Sequence, residues 1–206
     1  MPLLVFLHAN GESGGGSERE LSELLVHGIP RMITAGTWPA DLPFVVLAPQ
    51  YSALYGESTC AFGHVLDQFL GEVTESYRVD RARVYLTGIS CGAIGIWDFL
   101  AGTEQNSVAA IVPVSGHPLW AKDKGGCDIA TTPTWVFHGS LDDVIPVGRL
   151  TDLIEDLRAC ENPPAEEIKL TIYPDSGHDD DTWDRAYDPS GDQDIYSWLL
   201  QHALSR

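Results

Sequence analysis

Short apolar runs alternate along the chain with longer segments in which apolar residues recur every three or four positions. The short runs are rich in β-branched or aromatic residues and are mostly continuous, which is typical of strands buried on both faces. The pattern favours an α/β fold in which a mostly parallel sheet has helices on both faces. We predict six strands: Leu3–His8, Phe44–Ala48, Arg83–Thr87, Val108–Val114, Thr134–His138 and Ile168–Tyr173.

The longer segments predict the helices. The clearest helix spans Ser58–Tyr77, where apolar residues fall on one face at spacings of three and four. Further helices are predicted at Cys91–Ala101, Val147–Ala159 and Asp194–Ala203, with a less regular one within Glu12–Gly36. No internal repeat, low-complexity tract or linker divides the chain, so residues 1–206 are expected to form a single α/β domain.

One edge of this sheet presents a problem. The first strand begins almost at Met1, and the apolar segment Phe44–Ala48 is expected at the outer edge. An exposed apolar edge strand promotes association with other chains, so we expect this edge to be covered. Three coverings remain open: an upstream segment absent from this sequence, a loop, or a second copy of the protein in a homodimer.

Composition narrows the classes of partner. The chain has 12 basic and 30 acidic residues and a formal net charge of −18. Such a surface repels nucleic acids and anionic membranes, so neither is expected as a partner. No apolar run approaches the roughly 20 residues that span a bilayer, which argues against membrane insertion.

The four cysteines bear on the cellular compartment. Cys60, Cys91, Cys127 and Cys160 are widely spaced and form no CxxC pair, which disfavours zinc sites and thioredoxin-like sites. The run Leu3–Leu7 has no basic residue before it and is interpreted as a strand, not as part of a signal peptide. The expected location is therefore cytoplasmic and the expected state is free thiols, while the even number of cysteines leaves disulfides open.

The strongest chemical signal is Gly88-Ile-Ser90-Cys-Gly92, which follows a predicted strand and precedes a predicted helix. A serine on such a sharp turn needs small residues two positions away on either side, and the turn lifts its hydroxyl clear of the sheet. The turn also leaves the amide of Cys91 free to donate to an oxyanion. We predict Ser90 as the nucleophile, and we disfavour Cys91 in that role because the two glycines flank Ser90 symmetrically.

A nucleophilic serine needs a base and an orienting acid, and residues of both types follow later strands. His178 comes after the last predicted strand and Asp142 after the fifth. Because the carboxyl ends of parallel strands share one edge of a sheet, we expect both side chains to reach Ser90. Asp143 is the alternative acid. The run Asp179–Asp181 is interpreted as a solvated loop, with an acidic field acting on His178 as the alternative.

Other parts of the site are assigned by their position after a strand. The glycine-rich loop after the first strand is expected to supply a second oxyanion donor, the amide of Asn10, with a flexible turn lacking any ligand as the alternative. His117 and Trp183 are candidate substrate-binding residues, although packing in the core is the commoner role of such side chains. This chemistry needs no metal and no organic cofactor.

Taken together, these residues resemble the α/β-hydrolase superfamily, and within it the carboxylesterase/phospholipase-like esterases akin to polyhydroxybutyrate-depolymerase-like and dienelactone-hydrolase-like enzymes. The resemblance covers nearly the whole chain and rests on three blocks in the family's order, Tyr85–Gly92, Trp135–Pro146 and Tyr173–His178. It implies an α/β-hydrolase fold that lacks the first two strands. It also implies these roles: Ser90 as nucleophile, His178 as base, Asp142 as acid, and the amides of Asn10 and Cys91 as oxyanion hole.

The sequence also departs from the family. Ala9 follows His8 where the family usually has glycine, and Cys91 stands where methionine often follows the serine. Dienelactone hydrolases use cysteine at the position of Ser90, so their specific activity is disfavoured. The resemblance implies a serine hydrolase that cleaves a small neutral carboxylic ester through an acyl-enzyme intermediate. A thioesterase, an amidase and a non-catalytic scaffold used for binding are the alternatives.

Overall fold

A single parallel sheet organises the molecule. The structure is a computed structural model that describes residues 1–52, 60–102, 107–118, 121–161 and 166–205. Within these ranges six strands pair in the order β2-β1-β3-β4-β5-β6, and every neighbouring pair is parallel. The predicted strands are confirmed to within two residues at each end. They are β1 (Leu3–Leu7), β2 (Val45–Leu47), β3 (Val84–Ile89), β4 (Ala110–Val114), β5 (Thr134–Gly139) and β6 (Ile168–Tyr173).

Helices cover both faces of the sheet. The described residues contain α1 (Glu18–Glu23), α2 (Gly28–Ala35), α3 (Gly63–Ser76), α4 (Cys91–Gly102), α5 (Ala121–Gly125), α6 (Gly148–Arg158), α7 (Asp180–Tyr187) and α8 (Ile195–Leu199). Among the same residues, 3-10 helices span Asn10–Glu12 and Asp128–Thr131. In the part of the chain that the structure describes, no helix combines the length and the apolar character needed to cross a bilayer.

Most predicted helices are confirmed, with shifted ends. α3 begins at Gly63 and not near Ser58, and positions 58 and 59 lie outside the described residues. α8 ends at Leu199, since the chain then turns so that the amide of Leu204 donates to the carbonyl of Ala82. The irregular helix predicted within segment 12–36 is divided into α1 and α2. The ranges of α4 and α6 agree closely with the predictions.

The aspartate-rich segment after His178 corrects the prediction of a solvated loop. It forms α7, whose N-cap is Asp179, with its side chain accepting from the amide of Thr182. Asp180 and Asp181 occupy the first turn, where carboxylates interact favourably with the positive end of the helix dipole. The buried face of α7 is apolar enough to hold it on the sheet, with Trp183 among its buried residues.

The sheet separates two apolar cores. In β1, Leu3 and Val5 face a core shared with α3, α4 and α6, while Leu4 and Phe6 face a core shared with α2, α7 and α8. All five residues of β1 are buried. Burial of one such side chain stabilises the fold by roughly 1.5 to 3 kcal/mol. A strand buried on both faces has no polar side, which explains the continuous apolar run in its sequence.

β2 lies at the outer edge of the sheet, as predicted, and its three residues are half-buried. The neighbouring Phe44 is buried, and its ring packs edge-on against that of Tyr85 at 6.0 Å between centroids. Pro43 and Pro49 stand on either side of the strand and have no amide proton to donate, which limits pairing with a further strand. The homodimer through this edge stays a prediction.

The cysteines form two disulfides, Cys60–Cys91 and Cys127–Cys160. The expectation of free thiols is therefore wrong for all four residues. The fold brings the paired Cα atoms to 5.2 and 5.6 Å, within the range that a disulfide spans, although the partners are 31 and 33 positions apart. Because disulfides persist in oxidising compartments, the expected cytoplasmic location loses its support.

His138 is a fully buried histidine at the end of β5. Burial lowers the pKa of His138, because the charged ring would lose its hydration, and this outweighs the opposite effect of the carbonyl of Ile145 and the carboxylate of Asp142. The unfolded chain consequently binds more protons than the folded chain as the pH falls through the ordinary histidine value of about 6.5. His138 should therefore destabilise the fold on acidification.

Removal of one disulfide gives a first test. The double variant Cys127→Ser/Cys160→Ser should have a free energy of unfolding about 3 to 4 kcal/mol lower than the wild type, because the cross-link restricts the unfolded chain. Denaturant unfolding followed by circular dichroism measures this difference. Reductant should destabilise the wild type more than the variant. An unchanged unfolding midpoint in non-reducing buffer would show that this disulfide does not form.

The buried histidine gives a second test. Between pH 7.5 and 5.5 the wild type should lose more unfolding free energy than His138→Asn, by up to about 1 kcal/mol, since the variant has no imidazole to protonate on unfolding. Denaturant titrations at both pH values give the two differences. His64→Asn replaces an exposed histidine and is the matched control. Its unfolding free energy should fall between the two pH values by as much as that of the wild type. An equal loss in His138→Asn would refute the assignment.

Candidate active site

Ser90 stands on a strained turn between β3 and α4. Its φ angle is +49°, in the left-handed region that costs a non-glycine residue roughly 1 to 3 kcal/mol. The turn is held from both sides, because the amide of Ser90 donates to the carbonyl of Val114 and its own carbonyl accepts from the amide of Ile94. Ser90 itself is only half-buried, so the strained backbone presents its hydroxyl at the carboxyl edge of the sheet.

The two glycines around Ser90 are required by the neighbouring strand. A Cβ atom at Gly92 would lie 2.1 Å from the carbonyl oxygen of Leu7, and one at Gly88 would lie 2.7 Å from the same atom. These contacts are with backbone, which cannot swing aside as a side chain can. The small residues predicted on either side of the serine therefore allow β1 to pack directly against the turn.

Ser90, His178 and Asp142 form one hydrogen-bonded chain. The Nε2 atom of His178 lies 2.9 Å from the Oγ atom of Ser90, and its Nδ1 atom lies 2.7 Å from the Oδ2 atom of Asp142. Both are normal hydrogen-bond distances. Since a carboxylate only accepts, Nδ1 carries the proton of the neutral ring and Nε2 is free to accept one from the serine hydroxyl. The structure thus brings together the three side chains selected from the sequence.

The carboxylate of Asp142 is completely buried and is held by several donors. Its Oδ1 atom accepts from the amides of Val144 and Ile145 at 3.0 and 2.6 Å. Its Oδ2 atom lies 2.7 Å from the Nδ1 atom of His178 and 3.2 Å from the Nε2 atom of His138. These contacts replace lost hydration and fix the orientation of the carboxylate. The alternative acid, Asp143, is exposed.

The loops that carry Asp142 and His178 are bonded to each other. The amide of Leu141 donates to the carbonyl of Ser176 at 2.9 Å, and the amide of Ser140 donates to the carbonyl of Tyr173 at 2.9 Å. Gly139 permits this approach, because a Cβ atom there would lie 2.4 Å from the carbonyl oxygen of Ser176. The distance between acid and base is therefore set by backbone contacts.

The two expected oxyanion donors follow neighbouring strands, β1 and β3. Cys91 is the first residue of α4, so no carbonyl of that helix accepts from its amide. Asn10 begins the 3-10 helix that follows β1, and β1 is the neighbour of β3 in the sheet. The side chain of Cys91 is not a free thiol but is bonded to Cys60, which ties the residue after Ser90 to the segment before α3.

The candidate substrate-binding residues differ in burial. His117 follows β4 and is half-buried, and burial, followed by the positive charge of Arg149, lowers its pKa. Trp183 lies on α7 with 7% of its surface exposed, and its ring packs edge-on against that of His178 at 5.6 Å. A side chain so buried offers little surface to a substrate. Its ring contacts are with His178 and His27.

Sequence reasoning missed the polar neighbours of the site. His138 was assigned no role from the sequence, yet its Nε2 atom lies 2.8 Å from the carbonyl oxygen of Ile145 and also faces Asp142. Its position four residues before Asp142 was the available signal. Glu12 and His27, beside the loop after β1, had no such signal. Within the described residues no group of three or more potential ligand side chains is arranged to hold a metal ion.

Comparison with protein-family models finds no match for this chain. In sequence it is similar to the bifunctional acetylxylan esterase/xylanase XynS20E of Neocallimastix patriciarum, with 27% identity over 110 residues. The matched region covers 53% of this chain and 16% of that protein, so the chain corresponds to a small part of a much longer relative.

Solved structures give broader coverage. A thermostable esterase superposes with a TM-score of 0.74 at 23% identity, covering 98% of this chain and 54% of that one. Esterase PE8 superposes with a TM-score of 0.66 at 23% identity, covering 97% of this chain and 92% of that one. Esterase 2 of Thermogutta terrifontis has a TM-score of 0.57 at 14% identity, covering 97% and 78%. The resemblance drawn from the sequence is confirmed at the level of architecture: this chain has the α/β-hydrolase fold.

Proposed function

We propose that this protein is a serine hydrolase that cleaves a neutral carboxylic ester. The observation that carries the proposal is the hydrogen-bonded chain from Ser90 through His178 to the buried Asp142 at the carboxyl edge of a parallel sheet. A nucleophile within reach of a base, and a base oriented by an acid, is the arrangement that acyl transfer requires. The esterase relatives support an ester as substrate.

The reaction begins at the hydroxyl of Ser90. His178 removes its proton through Nε2 while Oγ attacks the ester carbonyl carbon, and the carbonyl oxygen becomes an oxyanion. The amides of Asn10 and Cys91 donate to this oxyanion. Collapse of the tetrahedral intermediate breaks the bond to the alcohol, which leaves with the proton held by His178, and the acyl group remains on Ser90. Water then attacks the acyl-enzyme by the same steps and releases the acid.

Asp142 acts through His178 and not on the substrate. Its Oδ2 atom accepts from Nδ1, which holds the ring with Nε2 toward Ser90 and stabilises the imidazolium formed when the proton is transferred. The amides of Val144 and Ile145 keep the carboxylate in place during this change. A preorganised acid of this kind needs no rearrangement at the moment of reaction.

The substrate is proposed to be a small ester without negative charge. The formal net charge of −18 disfavours approach of anions. The relative from Neocallimastix patriciarum is named a bifunctional acetylxylan esterase/xylanase, which makes an acetyl ester of a neutral sugar a suitable first compound to test. His117, half-buried at the end of β4, is proposed to contact the substrate. Cleavage of a thioester or an amide would require the same catalytic side chains and oxyanion donors. Comparing the hydrolysis rates of ester, thioester and amide substrates decides between these acyl donors.

Covalent labelling separates an enzyme from a binding scaffold. A fluorophosphonate probe should modify the wild type and leave Ser90→Ala unmodified, because only an activated serine displaces fluoride from phosphorus. Intact-mass spectrometry detects the adduct, and hydrolysis of p-nitrophenyl acetate should disappear in the same variant. Ser190→Ala changes an exposed serine in the turn that follows α7 and should label normally. Folded wild type that neither labels nor hydrolyses esters would establish the binding scaffold instead.

Two adjacent aspartates provide a matched pair for the acid. Asp142→Asn should lower kcat by roughly 10³- to 10⁴-fold, because an amide in place of the carboxylate stabilises the wrong tautomer of the histidine. Asp143→Asn changes the neighbouring exposed residue in the same way and should keep kcat within about twofold. Steady-state kinetics on one p-nitrophenyl ester measures both variants. Equal losses, or a larger loss in Asp143→Asn, would contradict the assignment of Asp142.

A further inference from the structure

Glu12 is a buried carboxylate that the proposed reaction does not use. Only 5% of its surface is exposed, and burial raises its pKa. Its Oε2 atom accepts from the amide of Ala9 at 2.7 Å. Its Oε1 atom lies 3.8 Å from the Nε2 atom of His27. Burying a carboxylate is costly, so a residue of this kind needs a structural or functional reason.

Glu12 holds the amide of Ala9, and a second buried side chain, that of His8, holds the carbonyl of Ala9. The amide of Tyr51 donates to the Nε2 atom of His8 at 2.8 Å, so in the neutral ring the proton must be on Nδ1. Nδ1 then donates to the carbonyl oxygen of Ala9 at 2.6 Å. Burial lowers the pKa of His8, which keeps the ring neutral and this arrangement in place.

The two contacts determine the direction of the next amide. Glu12 fixes the peptide before Ala9 through its N–H, and His8 fixes the peptide after Ala9 through its carbonyl. The peptide bond is planar and trans, so the N–H of Asn10 points opposite to the carbonyl of Ala9. That N–H is the proposed oxyanion donor, and its direction is consequently set by side chains outside the reacting groups.

Glu12 also connects this loop with the helix that follows His178. The Nδ1 atom of His27 lies 2.6 Å from the Oδ1 atom of Asp180 on α7. The ring of His27 packs edge-on against that of Trp183 at 4.9 Å, and Trp183 packs against His178. The loop after β1 and the loop after β6 thus share one set of contacts that reaches the base.

From this geometry we propose that Glu12 is a positioning residue, which directs the Asn10 amide toward the oxyanion by holding the amide of Ala9. The proposal rests on the proposed ester hydrolysis. Ala9 itself is buried, and its carbonyl also accepts from the amide of Glu12 at 3.3 Å, so Glu12 holds this turn through both its backbone and its side chain. A displaced donor weakens binding of the transition state more than binding of the ester.

Kinetics of Glu12→Ala and Glu12→Gln test this role. Glu12→Ala should lower kcat by roughly 10- to 100-fold and change KM by less than about twofold, because displacement by about an ångström is enough for such a loss. Glu12→Gln keeps an oxygen that accepts from the Ala9 amide and should stay within about threefold of the wild type. The affinity of phenylboronic acid, whose adduct with serine is tetrahedral, should fall in Glu12→Ala by a factor similar to that in kcat.

Glu20 provides the matched control. It closes an equivalent contact at the start of α1, where its Oε2 atom accepts from the amide of Ser17 at 3.0 Å, but it is only half-buried and lies away from Ala9 in the chain. Glu20→Ala should leave kcat and the boronic acid affinity unchanged. Circular dichroism melting verifies the folding of each variant. If Glu12→Ala does not fold, Glu12→Asp replaces it, because the shorter aspartate side chain does not reach the amide of Ala9.

The outcomes distinguish the two proposals. Wild type that is not labelled by the fluorophosphonate overturns ester hydrolysis and the role of Glu12 with it. If the wild type is labelled, the Glu12 proposal alone is overturned by a kcat of Glu12→Ala within twofold of the wild type. It is equally overturned by a change in KM alone, by an equal loss in Glu20→Ala, or by a Glu12→Gln variant as slow as Glu12→Ala.

Discussion

The backbone of β1 touches the turn that carries Ser90, and this contact sets the geometry around it. The carbonyl oxygen of Leu7 occupies the space where side chains at Gly88 and Gly92 would lie. Parallel pairing of β1 with β3 then brings the loop after β1 beside the start of α4. On the opposite side of β3, the order β4-β5-β6 aligns the remaining loops at the same edge. Residues distant in sequence meet because every strand ends on that side.

The site uses one buried carboxylate in a protein whose surface is strongly acidic. Asp142 is surrounded by donors, whereas the aspartates at the start of α7 are partly exposed and interact with the helix N-terminus and with basic side chains. Burial strengthens the interaction between Asp142 and His178, since little water screens it. The exposed aspartates contribute mainly to net charge and to helix capping. Local environment, not the number of acidic residues, distinguishes the two groups.

Much of the fold was predictable because its signals are local. A continuous apolar run marks each strand buried on both faces, and a turn residue or a polar loop marks its end. The positions of Ser90, Asp142 and His178 followed from the same rule, since each comes directly after a strand. The α7 helix was missed because its aspartates were interpreted by charge alone. The spacing of its buried residues Trp183 and Tyr187 was a helical signal in the same segment.

The remaining features depend on contacts across the fold. Disulfide partners 31 and 33 positions apart are matched only by the three-dimensional distances of their Cα atoms. The contact of Glu12 with His27, and of His27 with Asp180, joins segments that nothing in the sequence relates. Sequence patterns report which residues are buried along one element. They do not report which polar groups meet between elements.

Both disulfides belong to the same layer of the molecule. All four cysteines pack in or against the core beneath α3, α4 and α6, while the opposite layer, with α2, α7 and α8, contains no cross-link among the described residues. Opening of a protein proceeds through cooperative units of unequal stability. We therefore expect the layer that supports His178 to be the less stable unit, so that heat inactivation begins with the detachment of α7 while the covalently closed layer still retains its secondary structure.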